Sequence, residues 1–269
     1  SVPARRSECL SGYKNLVKPG DENCRFNTEF PLKAVIWGDS HADAIAAAVA
    51  DEFSYRDISM TQITRGRCPP ILDVMNYDYD SDCMEVNDLA VKFIHEEEIQ
   101  YVVIAARWPI YVEGPNKQLK YDDPLPLRHI HSPEQTPTLT DLKDLMNRTL
   151  SRVTMHGAKV IVVYPIPEYP WHVPFRLARL AMFHKMDSDL FTVSLGEVSQ
   201  RHLKSLQLLK SLNNSIYYFD PRDTFCENEK NLCYPMRHGQ ILYYDDDHLN
   251  FAGAQLLAKD LFSKANLFK

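Results

Sequence analysis

The chain has 269 residues, of which 45% are hydrophobic and 25% are charged. These values are ordinary for a globular protein and exclude wholesale disorder. The formal net charge of −6 gives no sign of the clustered lysines and arginines that a nucleic-acid or anionic-membrane surface requires, so we expect no nucleic-acid partner. No apolar stretch approaches the ~20 residues that span a bilayer, so we expect no transmembrane segment in this chain.

Six cysteines fall into three pairs that are local in sequence. Fifteen connectivities are possible, so pairing by proximity is one choice among them. A zinc site usually has tighter C-x₂₋₄-C spacing, which no pair here shows. We favour three disulfides and an oxidising compartment, such as a periplasm or the cell exterior; free thiols in a cytosolic protein are the alternative. The pairs are Cys9 and Cys24, Cys68 and Cys83, and Cys226 and Cys233.

Residues 1–30 are polar and irregular, and we predict an N-terminal extension or linker before a domain of residues 31–269. The first residues lack an apolar run behind them, so we expect the chain to begin at a cleavage site or a domain boundary. From residue 32 onwards, compact apolar runs alternate with amphipathic segments. They predict strands at 32–37, 57–63, 101–106, 159–164 and 216–219, and helices at 42–53, 85–97, 140–155, 187–212 and 251–262.

Between these elements, the proline-rich residues 107–136 are predicted to form a long loop, and residues 241–245 a short edge strand or loop. Strand–helix alternation with continuous apolar strands indicates a parallel sheet covered on both faces. We therefore predict a three-layer α/β/α, flavodoxin-like domain with about five parallel strands. Such sheets place their sites outside the carboxyl ends of the strands.

The first predicted strand ends in Gly38-Asp39-Ser40-His41, and a helix follows. Ser40 is therefore predicted to lie on a strand-to-helix turn, where Gly38 allows a tight backbone path. The start of the helix offers N–H groups and a positive dipole end to an oxyanion. The alternative is that Asp39 or Ser40 is only a helix N-cap.

A second polar run, Asp245 to His248, precedes the last predicted helix. A serine hydroxyl is a weak nucleophile that needs an adjacent base, usually a histidine held by a carboxylate. We predict Ser40 as nucleophile, His248 as base and Asp245 as the residue that orients His248. A solvated acidic loop is the alternative. A calcium loop would need more oxygen ligands in an ordered pattern, so we expect no metal.

These two motifs resemble those of the SGNH/GDSL hydrolase family. The likeness is closer to the SGNH domains fused behind acyltransferase-3 membrane proteins, such as bacterial O-antigen O-acetyltransferases. It spans about residues 32–265 and rests on four short segments: Gly38-Asp39-Ser40-His41, Cys68-Pro69-Pro70, Ala105-Ala106-Arg107-Trp108, and the Asp-Asp-His-Leu-Asn run from Asp246.

The resemblance implies an SGNH hydrolase fold and a periplasmic domain of an inner-membrane protein, with no cofactor. It implies transfer of an acetyl group, through an acyl-serine intermediate, to a sugar hydroxyl of an acceptor glycan such as the O-antigen of lipopolysaccharide. The acetyl donor would be delivered by the fused acyltransferase-3 domain. Two alternatives are a freestanding carbohydrate O-acetyl esterase and a catalytically idle glycan-binding domain.

The chain departs from the general family pattern at the oxyanion hole. Family members usually have a glycine after the second strand and an asparagine after the third. Here Gly66 is the glycine near the first position, and Arg107-Trp108 follow the third strand. We predict an oxyanion hole built from the N–H groups of Ser40 and Gly66, or one to which Arg107 supplies charge; a salt bridge that orders the proline-rich loop is the alternative for Arg107. Three aromatic residues are candidates to stack on a sugar, although burial is the commoner outcome: Trp108, Tyr169 and Trp171.

Overall fold

The computed structural model describes residues 6–12, 16–76, 82–119, 122–130, 134–184, 190–212 and 216–265. At its centre lies a mainly parallel sheet of seven strands with helices on both faces, as the alternation of elements predicts. The strands, in chain order, are β1 (Leu10–Ser11), β2 (Arg25–Phe26), β3 (Leu32–Gly38), β4 (Ile58–Arg65), β5 (Val74–Asn76), β6 (Tyr101–Ala105), β7 (Leu127–His129), β8 (Lys159–Val163), β9 (Val193–Ser194), β10 (Tyr217–Phe219), β11 (Cys226–Glu227), β12 (Leu232–Cys233), β13 (Met236–Arg237) and β14 (Gln240–Ile241).

Helices connect most of these strands, and a 3₁₀ turn covers Glu22–Cys24. The helices are α1 (Arg6–Cys9), α2 (Ser40–Ser54), α3 (Asp82–Glu96), α4 (Trp108–Val112), α5 (Leu139–Thr154), α6 (Val173–Met182), α7 (Leu195–Arg201), α8 (Leu203–Lys210), α9 (Arg222–Phe225) and α10 (Phe251–Lys264).

The five predicted strands of the sheet are β4, β3, β6, β8 and β10, in that spatial order. Neighbouring strands run parallel, and the first of them in the chain, β3, lies in the interior of the sheet between β4 and β6. This order, 2-1-3-4-5 by sequence, is the flavodoxin-like arrangement. Gly38, the last residue of β3, pairs with Thr64 on one side and Ala105 on the other. Ser40 therefore lies at the carboxyl edge of the sheet, in the middle of its width.

The alternation of side chains along β3 divides the core into two layers. Ala34 and Ile36 pack among residues of α2, α6 and α10 on one face. Val35 and Trp37 pack among residues of α3, α5 and α8 on the other. All four side chains are at most 1% exposed, so β3 is buried on both faces. This burial explains why its sequence is a continuous apolar run rather than an alternating one.

The N-terminal extension is less irregular than its composition predicts, because two short strands join the sheet. β1 pairs parallel with β4, and β2 pairs antiparallel with the same strand. An uncovered edge of β4 would present unpaired N–H and C=O groups. The disulfide Cys9–Cys24 closes this segment, and Cys68–Cys83 and Cys226–Cys233 are also bonded. The three sequence-local pairs thus form the disulfides.

Two predicted stretches differ in the structure, and some elements were not predicted. The predicted loop of residues 107–136 contains α4, since a proline is tolerated in the first turn of a helix, and it also contains β7, which pairs antiparallel with β5. The helix predicted over 187–212 starts later and is divided at His202, which caps both α7 and α8; residues 187–189 lie outside the described part. Helix α6 is not predicted at all. None of the helices within the described ranges is both long and apolar enough to cross a membrane.

Replacing Gly38 with alanine tests the close approach of β3 to β6. A Cβ at this position would lie 1.8 Å from the carbonyl oxygen of Ala105, so the backbone would have to move. We expect a loss of about 3 kcal/mol in the free energy of unfolding, measured by urea titration. Gly12→Ala is the matched control, since nothing lies within 4 Å of its added Cβ. Equal urea midpoints for the two variants would contradict the packing described here.

Candidate active site

Ser40 is the first residue of α2 and is held in place by the residue before it. The Oδ1 of Asp39 accepts a hydrogen bond from the backbone N–H of His41 at 2.8 Å, which makes Asp39 the N-cap. The side chain of Ser40 is thereby free for another partner. Its Oγ lies 2.8 Å from Nε2 of His248. The hydroxyl and the imidazole are thus within hydrogen-bonding distance.

The other ring nitrogen of His248 faces two carboxylates. Nδ1 lies 2.8 Å from Oδ2 of Asp245 and 2.7 Å from Oδ1 of Asp247. The Oδ1 of Asp245 also accepts hydrogen bonds from the backbone N–H groups of Asp247 and His248. Asp245 therefore stabilises the turn of residues 245–248 and orients the imidazole ring of His248. The three residues that the sequence predicts, Ser40, His248 and Asp245, lie together in the order that nucleophile activation needs.

Asp247 is a member of this group that the sequence analysis did not identify. Its side chain is only 4% exposed, and its Oδ2 lies 2.6 Å from Nε of Arg107 and 3.4 Å from Nε2 of His41. Burial alone would raise the pKa of Asp247, but His248 and Arg107 hold it well below its ordinary value. A run of aspartates is equally typical of a solvated loop, so only the burial and the partners distinguish this residue.

The pKa of His248 reflects these carboxylates. Burial lowers it, but the charge of Asp247 and the hydrogen bond to Asp245 outweigh burial and raise the pKa from 6.5 to about 10. The ring also contacts two others: Tyr244 is stacked at 5.2 Å between centroids, and His41 is tilted at 4.6 Å. The site therefore strongly stabilises an imidazolium, which is the form that the base takes after it accepts a proton from serine.

Arg107 joins this site to two loops. Its Nη1 and Nη2 donate to the two carboxylate oxygens of Asp122 at 2.8 and 2.9 Å, and its Nε donates to Glu168 at 3.0 Å. Burial lowers the pKa of Arg107, but the carboxylates of Glu168, Asp247 and Asp122 raise it above its ordinary value. These contacts match the alternative stated for Arg107, a salt bridge that orders the proline-rich loop. A role for its charge at the oxyanion remains a prediction.

Asp39 is tied to the same region through the backbone. Its Oδ2 accepts hydrogen bonds from the backbone N–H of Arg107 at 2.9 Å and from the hydroxyl of Tyr111 at 2.8 Å.

Gly66, the second predicted oxyanion donor, already donates its N–H to the carbonyl of Ser11 at 3.0 Å. Use of that N–H by an oxyanion would require this hydrogen bond to be exchanged. The N-terminus of α2 at Ser40 needs no such exchange.

Two of the three aromatic candidates for sugar stacking do not present a face. Trp108 is 1% exposed and its Nε1 donates to the carbonyl of Val163 at 2.8 Å, while Tyr169 is 0% exposed. Both belong to the core: Trp108, the first residue of α4, packs on one face of the sheet, and Tyr169 packs on the other. Trp171 is half-buried and lines a cavity. Of the three, it alone has a ring at the edge of an open space.

Two groups of side chains have ligand atoms close enough together to bind a cation. They are His41 with Asp247 and His248, and the run Asp245 to Asp247. Both ring nitrogens of His248 already have partners, Ser40 and the carboxylates. In the described part of the chain, these groups are therefore explained by the hydrogen-bond network, and we assign no metal to them.

The fold and the site together define an α/β protein with a serine, a histidine and two carboxylates at the carboxyl edge of a parallel sheet. A family model described as "SGNH domain (fused to AT3 domains)" matches residues 8–262. The chain belongs to this family. No match was found among curated proteins.

Among solved structures, one is similar in fold and two others match more distantly. The periplasmic domain of a lipopolysaccharide acetyltransferase from Salmonella ser. Paratyphi A is similar, with a TM-score of 0.57 and 16% identity over 86% of this chain and 82% of that one. A catalytic mutant of an acetylxylan esterase from Geobacillus stearothermophilus has a TM-score of 0.49 and 12% identity, over 87% and 94% of the two chains. A GDSL-like lipase from Bacteroides thetaiotaomicron has a TM-score of 0.42 and 11% identity, over 88% and 94%. At these identities the first similarity supports the fold alone, and the other two support no argument.

The raised pKa of His248 leads to a prediction about how esterase activity depends on pH. Only the neutral imidazole accepts a proton from Ser40, so hydrolysis of a small acetyl ester should rise with pH well past neutrality, following a pKa near 10. Asp247→Asn removes the charge that raises this pKa most, and the midpoint of the pH–rate profile should fall by about one unit or more. Asp246→Asn is the matched control, because its carboxylate is not among the main charges acting on His248. A midpoint near 6.5 in every variant would contradict the role of Asp247.

Proposed function

We propose that this domain is a carbohydrate O-acetyltransferase that works through an acyl-serine intermediate. The observation that carries the proposal is the 2.8 Å contact of Ser40 Oγ with His248 Nε2, while His248 Nδ1 is held by Asp245 and Asp247. Membership of the SGNH family supports an enzyme that acts on acyl groups. A glycan-binding domain without catalysis would not need a serine, base and carboxylates in this order.

In the first half-reaction, Ser40 Oγ attacks the carbonyl carbon of an acetyl donor while its proton passes to Nε2 of His248. The tetrahedral oxyanion forms next to the N-terminus of α2, whose N–H groups and dipole favour negative charge. Asp245 and Asp247 stabilise the imidazolium. As the tetrahedral intermediate collapses, His248 returns the proton to the departing oxygen or sulfur of the donor, and the acetyl group stays on Ser40 as an ester.

In the second half-reaction, a sugar hydroxyl of the acceptor glycan attacks the acetyl-serine. His248, now neutral, takes the proton of that hydroxyl and then gives it to Ser40 Oγ as the ester bond breaks. Water in place of the sugar hydroxyl would give hydrolysis, so the same residues can act as an esterase. Ser40 is only half-buried, so solvent can approach the intermediate, and an esterase is the second candidate function.

The family match supports a proposal about the acetyl donor and the location of the domain. Its model describes SGNH domains fused to AT3 domains, so we propose that such a membrane domain delivers the acetyl group. Three disulfides support an oxidising compartment, and we propose the periplasmic side of an inner membrane. The lipopolysaccharide acetyltransferase among the structural relatives makes O-antigen polysaccharide the first acceptor to test.

Replacing Ser40 with alanine tests the nucleophile. With a chromogenic acetyl ester as donor, we expect turnover to fall by about 10³-fold or more, because a nucleophile is lost rather than a contact. Intact-mass spectrometry should show one acetyl adduct on the wild-type protein and none on the variant. Ser263→Ala, an exposed serine of α10, is the matched control and should behave as the wild type. Equal turnover by the Ser40→Ala and wild-type proteins would reject the proposal.

The choice between transfer and hydrolysis needs an acceptor in the same assay. Addition of O-antigen oligosaccharide should give acetylated glycan and lower the yield of free acetate per ester consumed. If free acetate accounts for all of the ester at every glycan concentration, the domain is an esterase and the transferase assignment is wrong.

A further inference from the structure

A cavity of about 580 Å³ lies beside the loop that follows β8. This volume is within the ~300–1,000 Å³ range of small-molecule sites in proteins. The loop after β8 forms one wall, and β9 with α7 forms another. The side chains that matter for its chemistry are Glu168, Pro170, Trp171, Arg176, Glu197 and Arg201.

The wall of this cavity is attached directly to the loop that carries His248. The backbone N–H of Tyr169 donates to the carbonyl of Asp246 at 2.8 Å, and that of Val173 donates to the carbonyl of Asp245 at 3.0 Å. The cavity-lining residues Pro170 and Trp171 lie between these two hydrogen bonds. A ligand that contacts them therefore lies next to the turn that positions His248.

An ionic bridge makes a second connection. Arg107 contacts both Glu168, which lines the cavity, and Asp247, which contacts His248. Glu168 also accepts a hydrogen bond from Nε of Arg201 at 2.8 Å, on the far wall. A continuous chain of side-chain contacts therefore connects the cavity with His248.

The lining fits a neutral, polar and partly apolar ligand. The positive charges of Arg176 and Arg201 are balanced by the negative charges of Glu168 and Glu197, so the lining does not select an anion. Apolar surface comes from Pro170, Trp171, Val193 and Val198. A sugar ring has this combination, because its C–H faces are apolar while its hydroxyls donate and accept hydrogen bonds.

Two donors on the lining side chains need acceptors. The Nε1 of Trp171 and the Nη2 of Arg201 are buried and have no hydrogen-bond partner in the described part of the chain. A buried donor without a partner costs about 1–3 kcal/mol. Both residues line the cavity, so the oxygen of a bound ligand is a candidate acceptor for each N–H, and the hydroxyls of a sugar supply such oxygens.

We propose that this cavity binds a neutral sugar unit of the acceptor glycan, next to the unit that receives the acetyl group. The inference rests on the proposed function for the identity of the glycan as acceptor. It assigns to Trp171 the apolar contact, to Trp171 Nε1 and Arg201 Nη2 the hydrogen bonds to hydroxyls, and to the ends of the 169–173 loop the link to the turn that positions His248.

Calorimetric titration tests this site without any chemistry. The Ser40→Ala protein is titrated with neutral oligosaccharides of glucose, galactose, mannose, rhamnose or xylose, and with an oligogalacturonate as the anionic comparison. Gln200 is exposed and lines the cavity, so Gln200→Trp should fill the cavity without disturbing the core. Gln207→Trp is the matched control, on an exposed position of α8.

We expect at least one neutral oligosaccharide to bind. Its affinity should fall by about tenfold or more in Gln200→Trp and stay unchanged in Gln207→Trp. Absence of binding by every neutral oligosaccharide, binding of the oligogalacturonate alone, or equal binding by both tryptophan variants would overturn the proposal. Because the Ser40→Ala protein forms no acyl intermediate, these failures leave the acetyl-transfer proposal standing. Conversely, a wild-type protein without turnover would not change the binding result.

Discussion

The ion pairs of Arg107 are the interaction on which the rest of the site depends. One guanidinium, 15% exposed, is shared by Asp122, Glu168 and Asp247. Removing one partner of such a buried group leaves an uncompensated charge, which is far more costly than the loss of a surface salt bridge. Through these contacts the proline-rich loop, the loop after β8 and the loop of His248 take up one fixed arrangement. The backbone N–H of Arg107 also donates to Asp39, and this hydrogen bond joins the turn before Ser40 to the same arrangement.

The long apolar runs made the central sheet predictable, because strands buried on both faces have no competing pattern. The serine and Asp-x-x-His motifs were also accessible, since each is local in sequence. The ion-pair partners of Arg107 could not be predicted, because Glu168 lies 61 residues away and ion pairs leave no periodic signal in the sequence. Asp247 was hidden in an acidic run. The division of a predicted helix at His202 depends on burial of that residue in the tertiary structure, which local periodicity does not report.

The two carboxylates at His248 have a chemical consequence. A single carboxylate suffices to orient the ring, whereas the second adds charge and favours the imidazolium over the neutral base. His248 would therefore hold the proton of Ser40 strongly once it is transferred. A higher pH would be needed for His248 to be neutral before the reaction starts. Arg107 and His41 limit this effect by sharing the charge of Asp247. We therefore expect the balance between these contacts to determine the pH at which His248 becomes neutral.

Labelling with a fluorophosphonate tests whether Ser40 is an activated nucleophile, because such reagents react with serines activated by an adjacent base and do not require the natural acceptor. The labelled protein would be digested and mapped by mass spectrometry. We expect a single adduct, on the peptide that contains Ser40, and its loss in His248→Ala with the fold retained. Labelling of another serine, or no labelling of the folded wild-type protein, would contradict the assignment of Ser40 as an activated nucleophile.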